Sequence, residues 1–389
     1  MNNIIPLPKL PEYPVVSLFS GAMGLDLGLM AAGLAITVSQ DQDKWCVETI
    51  RRNGHVAVEG DIRELIQNDP ACEFLLKPAH LKKQDVFAVV GGPPCQSFST
   101  AGKRKGTQDE RGTLYGQFMH VVATIRPRFF VMENVKGLAS MPANPEEQDA
   151  KRLLDVILDR FKDLGYHTVQ AVVDAVHYGA PQFRERLVII GSRDNEPIFI
   201  PAPTHFHMHQ NPDMRWRTLL DAIGDLPDCG VHAKFSPKIS HYLKMVPEGG
   251  NWRSLPAHET RNAMGGAFES GGGKVGFYRR LSYGEPSPTL VTSPVQKATL
   301  LCHPRENRPL SVKEYARIQQ FPDDWIFEGK AADCYRQIGN AVPISLGKAI
   351  GQMLKAVALG NAIIQVKRMR GTSVHDEMKR NSSIALTGS

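Results

Sequence analysis

Gly91-Gly92-Pro93-Pro94-Cys95-Gln96-Ser97-Phe98-Ser99 is the stretch on which the reading of this chain turns. The apolar run Val86 to Val90 leads into it and has the length and character of a strand buried in a parallel sheet. Two glycines and two prolines stop that strand, so Cys95 is expected in a loop at its carboxyl end. Open α/β sheets carry their chemistry at that edge. The prolines stiffen the loop and remove backbone donors. A lone cysteine is most often a small buried hydrophobe. This thiol sits between a rigid Pro-Pro step and a polar Gln-Ser run, a poor address for core, and is read as a nucleophile.

Upstream, the strand-like Pro14 to Phe19 runs into Ser20-Gly21-Ala22-Met23-Gly24 and then into helical spacing. Strand, glycine turn and helix open a Rossmann-type unit, in which a nucleotide approaches the backbone. The turn is not Gly-x-Gly-x-x-Gly, which argues against a nicotinamide cofactor. A second strand, Ala35 to Ser39, ends near Asp41, where an acidic residue can hold ribose hydroxyls or cap the next helix, a role Asp43 also suits. A third unit ends at Gly60-Asp61-Ile62, and Asp61 too has the simpler reading of a helix cap. Downstream, Arg128 to Met132 is a buried strand that delivers Glu133 to the edge that carries Cys95, a candidate general acid. A strand over His167 to Asp174 precedes Gln182-Phe183-Arg184-Glu185-Arg186 and the apolar strand Leu187 to Gly191. Arginines at alternate positions share one face, as site residues or as a surface ladder.

The chain has 389 residues, enough for one large or two moderate domains. At 42% hydrophobic and 22% charged it has the composition of a soluble globular protein. The net charge of +6 is localised. Residues 234–308 hold 11 Lys/Arg against 5 Asp/Glu, which leaves 35 of each elsewhere (46 − 11 and 40 − 5). Such a bias is the footprint of a nucleic-acid-binding face. Six scattered cysteines form no Cys-x-x-Cys pair, so neither a disulfide framework nor a zinc site is indicated. Alternating His205, His207 and His209 lack acidic or thiol partners at useful spacing, and no metal is expected. With no signal peptide or membrane-length apolar stretch in view, the expectation is a cytoplasmic protein.

Pro93-Pro94-Cys95-Gln96, Glu133-Asn134-Val135, Gln182-x-Arg184-x-Arg186 and Gly339-Asn340-x-Val342-Pro343, in that order, resemble the motifs of the DNA (cytosine-5)-methyltransferases. The likeness runs from Val15 to Gly351. The family's glycine turn usually carries a further glycine where this chain has Met23. The resemblance implies an α/β fold: a Rossmann-like S-adenosylmethionine-dependent methyltransferase sheet with a second, smaller, irregular DNA-recognition domain. It implies catalytic and cofactor-binding parts at 13–200 and 335–362, a target-recognition domain at 201–334, and a tail at 363–389 expected to lack order. It makes Cys95 the nucleophile, Glu133 the group that protonates or hydrogen-bonds the cytosine ring, and Arg184 and Arg186 the groups that hold its carbonyl oxygen. Phe19, Gly21, Gly24, Asp41, Asp61, Ile62, Pro94, Leu114, Asn340 and Val342 would bind S-adenosyl-L-methionine, with no metal.

The glycine-punctuated basic segment from Thr100 to Leu114 is expected to act as a lid. Trp216, Trp252, Arg253, Arg261, Tyr278 and Gly265-Gly266 are candidates for reading the DNA groove, and Arg279-Arg280 for anchoring the reader. Double-stranded DNA is the expected partner, with a restriction endonuclease as genetic companion and the protein itself a monomer of bacterial or phage origin. A tRNA cytosine-5 methyltransferase built on the same motifs is the nearest alternative. A catalytically idle DNA-binding regulator is the alternative from another class. A nicotinamide-dependent oxidoreductase fits only the first 60 residues.

Overall fold

The strand that leads into Gly91-Gly92 lies at the middle of a seven-stranded sheet. The structure, a computed structural model, describes residues 12–94, 113–144, 150–226, 230–269 and 275–360. Cys95, most of the expected lid and the tail 363–389 lie outside the described residues.

The chain runs through β1 (Pro14–Leu18), α1 (Gly24–Ala31), β2 (Ala35–Asp41), α2 (Lys44–Arg52), β3 (Ala57–Glu59), α3 (Ile62–Asn68) and α4 (Glu73–Leu76). It continues with β4 (Ala88–Gly91), α5 (Leu114–Ile125), β5 (Phe129–Val135), α6 (Leu153–Asp163), β6 (His167–Asp174) and β7 (Glu185–Ser192). Shorter helices follow: α7 (Leu219–Ile223), α8 (Pro237–Leu243), α9 (Ala257–Met264) and α10 (Val312–Ile318), before α11 (Ala331–Asn340) and α12 (Ile344–Ala358).

The sheet order is β3-β2-β1-β4-β5-β7-β6. The five strands from β3 to β5 are mutually parallel, and β7 runs antiparallel between β5 and β6. An apolar run such as Leu187 to Gly191 looks the same in either direction, so the sequence does not announce this reversal. It matters for the site: the first residues of β7, not its last, lie at the edge where β4 and β5 end. Val135 is paired with Arg186, and Glu133 with Val188. Glu133 and Arg186 are therefore diagonal neighbours, and β5 extends beyond Met132 because β7 pairs along its whole length.

Successive residues of a strand face opposite sides, and here the two sides are different cores. Val16, Val89 and Phe130 pack with Phe118 of α5 and Phe161 of α6. Val15, Val90 and Val131 pack with Leu29 of α1 and Ile350 and Leu354 of α12. Full burial of each such side chain is worth roughly 1.5–3 kcal/mol. The last helix is thus part of the first sheet's core, and glycines let it approach. A Cβ on Gly28 would stand 2.3 Å from the Ile344 carbonyl oxygen and 2.6 Å from the Gly347 Cα; one on Gly24 would stand 2.4 Å from the Val342 carbonyl oxygen.

A separate small core gathers Ile239, Leu243, Leu255, Tyr278, Leu300 and Cys302. Another joins Leu219, Leu281, Leu310, Tyr315, Tyr335 and Ile338 with Ala22 of the first glycine turn. The boundary expected at 334/335 falls inside α11. That helix packs on α10 and also bonds to α2 and the residue that caps it, through Gln337 to Thr49 and Arg336 to Asp43.

Candidate functional site

At the carboxyl edge of β1, β2, β4 and β5 opens a cleft of about 670 Å³. It is lined by Phe19, Gly21, Gly24, Asp41, Pro94, Glu133, Arg184, Arg186, Asn340 and Val342, ten of the residues singled out from sequence. Asp61, Ile62 and Leu114 are not among its lining residues. The Asp61 carboxylate caps α3 by accepting from Arg63 N at 2.9 Å and binds the Arg63 side chain, which holds its pKa below the ordinary range. Ile62 and Leu114 are buried in the core beneath the sheet.

One end of the cleft is the glycine turn. Phe19, Gly21 and Met23 all take left-handed backbone, with φ of 53°, 54° and 69°. The glycine usual at the third of these positions is accounted for, because a side chain is strained there. Met23 accepts the strain while its side chain is fully buried. A Cβ on Gly21 would meet nothing within 4 Å, so the backbone here faces open space. Asp41 holds the turn in place: its carboxylate accepts from Gly21 N and from Asp43 N, both at 2.8 Å. Asp43, not Asp41, caps α2, by accepting from Trp45 N at 2.9 Å. Burial pushes the Asp41 pKa up against the pull of these amides.

The other end is built by β5 and β7. Glu133 Oε1 lies 2.7 Å from Arg186 Nε, with only 11% and 12% of the two side chains exposed. Burial raises the Glu133 pKa, and the charges of Arg186 and Arg184 oppose the rise. Its neighbour Asn134 donates from Nδ2 to the Pro93 carbonyl at 2.8 Å, so the strand that carries Glu133 also grips the Pro-Pro step before Cys95. A Cβ on Gly92 would lie 2.8 Å from Glu133 Oε2, which explains the second glycine of that stretch.

Arg184 differs from its expected role. It is buried, and its guanidinium donates to the carbonyls of Leu290 at 3.0 Å and Gly339 at 2.7 Å. Nε lacks a hydrogen-bond partner. Gln182 behaves likewise: it donates to Gln319 Oε1 at 2.8 Å and accepts from Leu290 N at 3.3 Å. Gln319 in turn donates to the carbonyls of Ile338 and Ala341. Two of the three polar residues of Gln-x-Arg-x-Arg therefore tie segments 290, 319 and 339 to the sheet, and only Arg186 meets Glu133.

Sequence reasoning passed over Asp26, which also lines the cleft and is 1% exposed. Its signal was available: a carboxylate in a helix otherwise made of Gly, Leu, Met and Ala.

The reader candidates separate in the same way. Tyr278 is core, donating to the Ala263 carbonyl at 2.8 Å. Trp216 packs edge-on against Phe183 and His177, each with ring centres 5.4 Å apart. Arg253 lies over Trp252 at 5.5 Å and Arg261 over Phe268 at 5.8 Å, on the exposed side of the small core. Arg279, Arg280 and Arg308 point inward and bind protein carbonyls or carboxylates, so part of the local positive excess is structural.

The C-5 cytosine-specific DNA methylase family profile matches residues 13–356. The chain is 40% identical over 354 residues to the Type II methyltransferase M.PspPI of Psychrobacter, which covers 88% of this chain and 79% of that protein. It is 40% identical over 351 residues to the Type II methyltransferase M.Eco47II of Escherichia coli, covering 87% and 78%. Among solved structures, an E. coli prophage protein assigned as a DNA modification methyltransferase superposes with a TM-score of 0.61 at 24% identity, over 89% of this chain and 99% of that one. The Spodoptera frugiperda DNMT2 structure gives 0.54 at 16% identity, over 88% and 100%.

An α/β sheet with a cleft of this size at its carboxyl edge has the architecture in which nucleotide cofactors are bound. The chain belongs to the C-5 cytosine-specific DNA methylase family. It is an enzyme that uses S-adenosylmethionine. The residues present fit that cofactor: the open face of Gly21 leaves room at the backbone, carboxylates stand beside it, and the cleft volume is in the range of small-molecule sites.

Proposed function

We propose that the protein is the sequence-specific DNA (cytosine-5)-methyltransferase of a Type II restriction-modification system, in which Cys95 is the nucleophile and Glu133 and Arg186 hold the cytosine ring. The observation that carries this reading is the buried Glu133–Arg186 pair at 2.7 Å. It shares one cleft with Gly21 and Asp41, and it lies beside the Pro-Pro step that precedes Cys95.

Carbon 5 of cytosine is a weak nucleophile within an aromatic ring. Addition of the Cys95 thiolate to carbon 6 breaks the aromaticity and moves electron density to carbon 5. Glu133, whose pKa burial raises against the charges of Arg186 and Arg184, hydrogen-bonds nitrogen 3 in its protonated form and meets the negative charge that develops on the ring. Arg186 orients Glu133 through Nε and donates from one terminal nitrogen to the Glu185 carbonyl, and its other terminal nitrogen holds the ring's carbonyl oxygen. Arg184, spent on two carbonyls, is a positioning residue. S-adenosylmethionine, when bound, supplies the electrophilic methyl group that carbon 5 accepts. Loss of the carbon 5 proton and expulsion of the Cys95 thiolate restore the ring.

A base stacked in a duplex cannot enter such a cleft, so the cytosine is flipped out at a cost of a few kcal/mol, recovered by protein contacts. Phe19, Gly21, Gly24, Asp41, Pro94, Asn340 and Val342 surround the cofactor. The reader lies between residue 201 and about α11, and α12 belongs with the sheet. The names of the relatives support the pairing with a restriction endonuclease.

The test is transfer of labelled methyl to duplex DNA, with tRNA in parallel, followed by bisulfite sequencing. Label at one recurring short sequence in DNA is expected. Label confined to tRNA would overturn the substrate and keep the chemistry. The variant Cys95→Ser should lose turnover and still bind the cofactor; substantial methylation by it would remove Cys95 from its role.

A further inference from the structure

Beneath the glycine turn lies a carboxyl group that the mechanism does not use. Asp26, in the first turn of α1, is enclosed by β1, β2 and the turn itself. Ser17 Oγ donates to its Oδ1 at 2.7 Å, Ser39 Oγ approaches Oδ2 at 3.4 Å, and Ser20 Oγ donates to Ser17 Oγ at 2.8 Å. Hydroxyls from β1, β2 and the turn thus converge on one side chain, which is nonetheless part of the cleft wall. Three serines can serve either form of the carboxyl, because a hydroxyl both donates and accepts.

We propose that Asp26 makes the cleft prefer the cationic methyl donor, S-adenosylmethionine, over its by-product S-adenosylhomocysteine, which lacks the sulfonium charge. The two ligands differ by one methyl group and one positive charge. A methyl contact discriminates weakly, whereas an uncompensated carboxylate in a buried wall discriminates by charge. Among the described residues, the charge that acts on Asp26 is that of Asp41 on β2, a like charge. Farther along the same wall, Asp43 is neutralised by Arg336 at 2.9 Å and Cys46 is a buried thiol. From the other side of α1, α12 presents glycine, and β4 presents Gly91 against β1. At the far end, Arg186 is occupied by Glu133.

Burial pushes the pKa of Asp26 up to about 7, against its serine hydrogen bonds. In the empty cleft near neutral pH it is therefore partly protonated. A sulfonium ion brought against this wall favours the ionised form, so Asp26 gives up its proton to solvent as the donor binds. After methyl transfer the by-product, its sulfur now a neutral thioether, no longer supports the ionised carboxylate. Proton return to Asp26 then weakens the grip on the spent cofactor. Donor affinity should rise with pH through neutrality, and by-product affinity should not.

The inference rests on S-adenosylmethionine occupying this cleft. Its test is calorimetric binding of S-adenosylmethionine and S-adenosylhomocysteine to the full chain without DNA, from pH 6 to pH 8.5. Using buffers of different ionisation enthalpy counts the protons released. Wild type should release a fraction of a proton with the donor alone. Its preference for the donor should grow about tenfold over the range, a shift worth about one pKa unit. Asp26→Asn, which keeps the shape and the serine contacts, should bind both ligands with a pH-independent ratio. A flat ratio and no proton release in wild type would overturn the proposal, and that measurement does not depend on whether the variant folds. Failure to bind either ligand would instead strike at the cofactor assignment.

Discussion

Glu133 carries a prediction with a sign. Burial raises its pKa, so it keeps its proton to higher pH than an ordinary glutamate, and the protonated form is the one able to donate to nitrogen 3 of the ring. As pH climbs through the raised value that form is lost, and kcat/KM should fall on the alkaline side. Glu133→Gln retains a donor and an acceptor at every pH but cannot pass a proton to the ring. The variant should therefore lose roughly 10²–10⁴ in rate, the usual yield of a positioned acid, and its residual activity should show no alkaline fall. A pH profile that keeps the alkaline limb in the variant would assign that limb to another group. Only the expectation that both residues belong to one site was legible in sequence, since their direct pairing depends on the antiparallel course of β7. The fate of Arg184 was not. Its partners Leu290 and Gly339 lie 106 and 155 residues away and are backbone carbonyls, which no residue pattern records.

At the scale of elements, the glycines of one short segment have different reasons, and substitution separates them. Gly28 faces α12, where a Cβ would stand 2.3 Å from a carbonyl oxygen and 2.6 Å from two further backbone atoms. Backbone cannot yield as a side chain can, so Gly28→Ala should force α1 and α12 apart. The cost should reach at least about 1–3 kcal/mol of overpacking, after the small gain in helix propensity is spent. Gly21 has open space in place of a neighbour and φ of 54°, so Gly21→Ala should cost about 1 kcal/mol of backbone strain. Its larger effect should be on cofactor affinity, because the added methyl occupies the open face. Thermal melts and cofactor titrations of the two variants should therefore rank in opposite orders; a matching order would mean that the turn and the helix contact form one cooperative feature. The final helix was legible from its opening motif, Gly339 to Pro343. Its contact with α1 was not, because glycine spacing on two helices, with Gly28 and Gly347 standing 319 residues apart (347 − 28), has meaning only once they meet. The reversal of β7 stayed hidden for a related reason, as hydrophobic periodicity is blind to direction.

Over the whole molecule, the part proposed as the reader is held together by arginine as much as by apolar burial. Arg280 alone donates to the carbonyls of Leu243 at 2.7 Å, Val246 and Glu306 at 2.8 Å, and His303 at 3.0 Å, and to Asn307 Oδ1 at 3.1 Å. It thereby closes the end of α8 onto the segment from His303 to Asn307, around a core of only a few side chains. Arg280→Met fills similar space and leaves those acceptors buried with no donor, at about 1–3 kcal/mol for each that water cannot reach. The sum exceeds what so small a core can absorb. The cleft walls from β1, β2, β4 and β5 make no use of Arg280. The variant should therefore melt in two steps under calorimetry, the reader first. It should bind S-adenosylmethionine within about twofold of wild type, since a change below 0.4 kcal/mol is expected at a site so little altered. Duplex DNA affinity should fall together with the lower transition. A single transition, with cofactor and DNA binding lost at the same temperature, would mean that the buried Gln182–Gln319 and Arg184 ties make sheet and reader one folding unit. In that case the exposed Arg253 and Arg261 would be the place to weaken DNA binding without touching the fold.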